Sequence, residues 1–182
     1  MKMNYTLVRS DRKTVSIRIR PDGQVEVRCP KRMSRVAVQA FVDSKKSWIA
    51  AHLAKLTPVQ RLTEKELEAL REETRRRVTE RAAYFAPLVG VTYGRIAIRA
   101  QQTRWGSCSS KGNLNFNCLL ALAPDEVLDY VVVHELCHRK QMNHSAQFWA
   151  EVERILPDYT EQRRWLKQQG ANLLARLPDA QK

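Results

Sequence analysis

The stretch HELCHRKQMNH, residues 134–144, gathers three of the chain's four histidines and sets a glutamate beside the first. His134 and His138 stand four apart. On a helix both imidazoles then project from one face, one turn apart, at the separation a single tetrahedral zinc requires. Glu135 falls at the edge of that face, where a carboxylate can take a proton from water and return it to a leaving group. A chance match to His, acid, His at this spacing has odds on the order of 1% in a chain of this composition. The competing reading, two satisfied core histidines, is therefore the weaker one.

The residues before the motif predict a buried helix. Pro124, Asp125 and Glu126 suit its first turn, the acids complementing the positive end of the dipole. Leu128, Val131, Val132 and Val133 make the next turns almost wholly apolar. Arg139 and Lys140 suit the negative end, and Cys137, off the ligand face, reads as packing.

Beyond the motif, His144 follows His138 by six, as in the pattern HExxHxxGxxH. Gln141 stands where that pattern has glycine, and no methionine follows Met142, so the chain is not a metzincin. Asn143 and Ser145 are good N-caps for a helix marked by Phe148, Trp149, Val152 and Leu156 and ended by Pro157. His144 is expected at the mouth of that helix, folded back toward the metal. Glu151 and Glu153 compete as a carboxylate third ligand. His144 is favoured because histidine is the rarer residue and its place at the turn needs a reason.

Upstream, RIAIRA (95–100) and TRWGSCSSKGNLNFNCLL (103–120) show period two, with a turn at Ser109, Ser110, Lys111 and Gly112. Asn113, Asn115 and Asn117 share one face of a strand, although asparagine is depleted in strands. They are read as an edge that hydrogen-bonds an extended substrate, against the plainer reading of an exposed polar edge. Arg104 can hold an anionic or oxyanionic group near the metal, or make a structural salt bridge.

The first sixty residues carry a different pattern. Val15, Ile17 and Ile19, then Val25, Val27 and Cys29, alternate with polar residues about Asp22 and Gly23, which predicts a β-hairpin. Ser34 caps a helix expected to run to Leu56. Pro58 breaks the chain, and Thr63 with Glu66 forms a capping box for a helix to Leu88. That helix should bury Leu67, Leu70, Val78, Phe85 and Leu88. Its outer face, with Arg71, Arg75, Arg76, Arg77 and Arg81 among glutamates, reads as solvated. His52 has no companion ligand. At the other end Trp165 and Leu166 predict a last short helix stopped by Gly170, with a loose tail beyond Leu177.

At 182 residues and 43% hydrophobic, the chain can bury a real core. The net charge of +13 and pI near 10.0 suit anionic partners, nucleic acid and nucleotides included. The chain lacks a run of about 18 apolar residues and a signal-like start, so a cytoplasmic protein with no membrane partner is expected. Cys29, Cys108, Cys118 and Cys137 form no CxxC pair, which argues against a zinc ribbon or a disulfide framework.

RWGSCSSKGNLNFN, VVVHELCHRKQMNHSAQFW and the upstream PDGQVEVRCPKRMS together resemble the YgjP-like family of metal-dependent hydrolases, related to the SprT and WLM zincins. The resemblance implies zinc ligands His134, His138 and His144, general base Glu135, and a zincin-like core. Arg104, Trp105 and Gly106 match the family's segment before the asparagine strand. The SprT zinc ribbon has no counterpart here, so the DNA-repair role of those proteins is not carried over.

The expected fold is α+β. Residues 1–60 form a β-hairpin and helix, and residues 61–182 a zincin-like core whose small antiparallel sheet packs on the active-site helix. The expected function is a zinc-dependent metallopeptidase with one Zn2+, other divalent transition metals also fitting, and a substrate bound by Arg104, Asn113 and Asn115. Two alternatives stand beside it: a nucleoside triphosphate pyrophosphatase, and a nucleic-acid-binding module with a structural metal.

Overall fold

Period-two alternation puts Val25, Val27 and Cys29 on one face of a strand, and all three are buried. They belong to the first of two compact units, Met1–Gln60 and Arg61–Lys182, in a computed structural model that describes residues 4–20, 22–54 and 60–178. In the first unit the expected hairpin is β2 (Ser16–Ile19) against β3 (Val25–Pro30), antiparallel, with Gly23 at φ +83° in its turn. A strand not foreseen, β1 (Thr6–Ser10), pairs parallel with β3 and gives the order β1-β3-β2. Its sequence hid it: of TLVRS, only Leu7 packs on the core.

The single helix expected from Ser34 is two helices, α1 (Arg35–Ser44) and α2 (Lys46–Leu53), separated at Lys45. Ser44 Oγ donates to the Phe41 carbonyl at 2.8 Å, a local bond that competes with continuation of the helix. Val38, Val42 and Ile49 still reach the strand residues and close the small core. The expected end at Leu56 and break at Pro58 lie outside the described residues. His52 rests on Trp48, ring centroids 4.0 Å apart.

In the second unit, α3 (Glu64–Val89) starts on the Thr63 capping box and ends at left-handed Gly90. Its seam runs through Leu67, Thr74, Val78, Ala82, Phe85 and Val89. Leu88, one position off that seam, is 48% exposed rather than buried. The outer face is only partly a solvated one. Arg71 pairs with Glu64 and Glu68, and Arg76 with Glu73, but Arg77 and Arg81 leave it to clasp Asp125 and Asp129.

The second sheet has the order β4-β6-β5, from β4 (Ile96–Arg99), β5 (Gly106–Cys108) and β6 (Leu114–Asn117). The α+β class is as expected, but this sheet is mixed, not antiparallel, because β4 joins β6 parallel. A 3-10 turn (Cys118–Leu122) leads to α4 (Asp125–Cys137), followed by α5 (Ala146–Ile155) and α6 (Tyr159–Leu174). Gly170 does not stop α6; it lies inside the helix, where a Cβ would meet the Trp105 indole at 3.2 Å. α4 packs against α3, α5, α6 and β5, which accounts for its burial.

Glu26 is only 3% exposed, although its strand neighbours Val25 and Val27 point into the helix-covered core. Arg28 and Arg20 both hydrogen-bond its carboxylate, and hold its pKa below the usual range. That stabilisation is present above the ordinary glutamate pKa and is lost as pH falls through the lowered folded value. Glu26→Gln should therefore cost about 1–2 kcal/mol at neutral pH, both guanidiniums being half in water. Urea melts should show the gap to wild type narrowing on acidification; a pH-independent gap would contradict the pairing.

Candidate metal centre

The last turn of α4 carries His134 and Glu135, and His138 is its C-cap residue. Beyond it the chain closes tightly: Arg139 N–H donates to the Leu136 carbonyl at 2.9 Å, and Lys140 and Gln141 N–H to that of Cys137 at 3.0 Å. Among the described residues no non-glycine has positive φ, so this bend has no need of glycine where Gln141 stands. Gln141 has a use of its own. Its carbonyl lies 3.0 Å from His138 Nδ1, accepting that N–H and leaving Nε2 with a free lone pair.

His144 is exposed and sits just before Ser145, whose Oγ caps α5 by accepting from Phe148 N–H. The bend nevertheless returns it to α4: its Nε2 is 3.0 Å from His134 Nε2. One ligand atom from each of His134, His138 and His144 lies within 4.8 Å of the others. Phe148, fully buried, packs against all three rings at centroid distances of 4.8, 4.6 and 4.9 Å. Its spacing marks a helix core residue, and nothing in that spacing marks this second role.

Burial pushes the His134 pKa down to about 3, with His138 and His144 adding to the effect, and burial also lowers that of His138. Both rings are thus held in the neutral form that binds metal. His134 Nδ1 is buried without a hydrogen-bond partner. Three convergent imidazole nitrogens fit a divalent transition cation.

Glu135 is 5% exposed, and burial raises its carboxyl pKa to about 8, with Arg104 pulling the other way. Its Oε2 has no hydrogen-bond partner. The carboxyl rests against β5: a Cβ on Gly106 would sit 2.5 Å from Oε1 and 2.7 Å from Cγ. Sequence reasoning took Gly106 only as part of a family segment. A glycine inside a strand pattern, which marks close approach, was the available signal.

The asparagines do other work than expected. β6 lies between β4 and β5, so the strand from Asn113 onward is central and cannot pair with a peptide. Asn113 Oδ1 accepts from Arg95 N–H at 3.2 Å, and Asn115 Nδ2 donates to Ser107 Oγ at 3.1 Å. Asn117 Nδ2 donates to the carbonyls of Gln101 and Arg104, while its Oδ1 accepts from Leu119 N–H. That last bond ends the strand at Asn117 and starts the 3-10 turn. Arg104 is exposed and makes no ion pair among the described residues, so the salt-bridge reading is not met. Glu151, one of the two rival third ligands, is engaged by Lys140 at 3.1 Å and Arg154 at 3.0 Å. Cys137 is fully buried, its thiol pKa pushed up to about 12 by burial.

Three imidazoles able to share a cation, with a buried carboxyl alongside, are the equipment of a metal-dependent hydrolase. The chain belongs to the YgjP-like family, whose metallopeptidase-domain model matches residues 13–70 and 60–169. It is similar to the crystal structure of the metallopeptidase zymogen of Pyrococcus abyssi abylysin, with 24% identity, a TM-score of 0.46, and coverage of 50% of this chain and 93% of that one. It is also similar to the metallopeptidase zymogen of Methanocaldococcus jannaschii jannalysin, with 20% identity, a TM-score of 0.45, and coverage of 50% and 95%. No curated protein matches the sequence.

Gly106→Ala should displace the Glu135 carboxyl and lower kcat/KM about 100-fold, the usual cost of misplacing a reacting group by about 1 Å. Steady-state kinetics with metal content measured alongside would check this; undiminished turnover would show that the contact is unimportant.

Proposed function

We propose that this chain is a zinc-dependent peptidase in which His134, His138 and His144 hold one ion and Glu135 acts as general base, then general acid. The observation that carries the reading is the convergence of three imidazole ligand atoms within 4.8 Å, next along α4 to Glu135, whose buried carboxyl has an oxygen without a partner. When bound, the ion supplies Lewis acidity, polarising a carbonyl and acidifying water; manganese, nickel or iron suit the same nitrogen donors.

The chain's own residues do the rest. His138 is held in register by the Gln141 carbonyl, and Phe148 keeps water from behind the three rings. The Glu135 carboxylate takes the proton of the attacking water and passes it to the departing amine. Among the described residues β5 has no strand on its outer side, so an extended peptide adding there, not at β6, would run beside Gly106 and hence beside Glu135. Arg104, two residues before Gly106 and without an ion pair among the described residues, is offered to an anionic group of that substrate.

No helix of the described residues is long and apolar enough to cross a membrane. All four cysteines are free, which supports a reducing, cytoplasmic setting. The family match favours an enzyme over a module that keeps metal for structure alone, and gives no support to a nucleotide or nucleic-acid partner.

Glu135→Gln should lower peptide cleavage by at least about 100-fold with bound metal retained, as loss of a general base does. His138→Ala should lose metal and activity together. Arg104→Ala should raise KM for acidic peptides and leave kcat nearly unchanged. Cleavage of a peptide library, with metal analysis of each variant, reads all three; full activity in Glu135→Gln would end the proposal.

A further inference from the structure

His144 is the least supported of the three histidines. It is exposed, and no main-chain hydrogen bond among the described residues holds Met142, Asn143 or His144. A ligand on such a segment must be ordered when it binds, at a cost in backbone entropy for each residue fixed. Something else must hold the ring where it is, 3.0 Å from His134.

The candidate is a pile of aromatic rings. The His144 imidazole lies on the Trp149 indole, centroids 5.7 Å apart and planes 27° apart. Trp149 in turn stacks on Tyr159 at 5.4 Å and 15°, and Tyr159 on Tyr130 at 6.3 Å and 18°. The guanidinium of Arg163, one turn beyond Tyr159 on α6, lies 4.6 Å over Trp149. Tyr130 stands on α4 one turn before His134, so the pile begins and ends on the metal centre and draws on α4, α5 and α6. Phe148 meets Trp149 edge-on at 89°, which fixes the tilt of the indole.

We infer that Trp149, held by Tyr159 and Arg163, is a positioning residue for His144 and sets the metal affinity of the centre by pre-ordering its loop ligand. The inference rests on the proposed ligand set. Outer residues that orient a ligand typically contribute about 10–100-fold in metal affinity. Trp149→Ala should therefore weaken Zn2+ binding by about that factor, and Trp149→Phe by much less, since a flat ring remains.

The test is a competition titration of Zn2+ between the full chain and a chromophoric chelator, on Trp149→Ala, Trp149→Phe, His144→Ala and the double variant of Trp149→Ala with His144→Ala. A positioning role requires the double variant to bind no more weakly than His144→Ala alone. A general loss of structure would weaken it further, and would overturn the inference. So would wild-type affinity in Trp149→Ala. If His144→Ala itself binds as wild type, the ligand set fails and the inference with it, whereas a weakened His144→Ala beside an unaffected Trp149→Ala overturns the inference alone. Should Trp149→Ala not fold by circular dichroism, Trp149→Leu keeps apolar bulk without a ring to stack and carries the same expectations.

Discussion

Helix α4 buries Val127, Leu128, Val131, Val132, Val133 and Leu136, and because they occupy most of its circumference, the ionisable residues of its last turn leave water with them. An isolated charge in such a place is costly, so burial shifts these groups toward their neutral forms without a partner of opposite charge. That is why His134 is held far below its ordinary pKa and Glu135 well above its own. Neutral imidazoles are ligands, and a carboxyl without an internal partner suits a proton-transfer role. The apolar packing that holds the helix also prepares its chemistry.

The rest of the second unit keeps that helix in place. Arg77 and Arg81 of α3 clasp Asp125 and Asp129 near its start, and Arg139 at its far end donates to the carbonyls of Thr92 and Ser110. Two glycines set the distances on which the site depends. Gly106 lets Glu135 lie against β5, and Gly170 lets Trp105, the residue before it, lie against α6. β5 is thereby fixed from two directions by contacts that a methyl group would obstruct.

The third histidine is held differently. His134 and His138 inherit their places from helical geometry, whereas His144 depends on a bend closed by local carbonyls and on rings from neighbouring helices. Gln141 links the two arrangements, since it lies in the bend and its carbonyl orients His138. A glycine there would supply the same carbonyl but would loosen the segment that carries His144.

Residues close in sequence were readable because helical and strand periods translate directly into faces. His134, Glu135 and His138 needed only a helix, the β2–β3 hairpin only alternation, and α3 only its capping box and seam. What failed depended on partners far along the chain. The asparagine strand looks like an edge in sequence because nothing local to LNFN tells that β4 joins it parallel and makes it central. Gly170 passed for a helix stop because only the tertiary approach of Trp105 explains a glycine inside α6. Arg77 and Arg81 looked solvated until Asp125 and Asp129, 48 positions away, came beside them. Local order thus determined which groups share a helical turn; the packing of distant segments decided which of them meet, how dry they are, and which strands lie at the sheet edges.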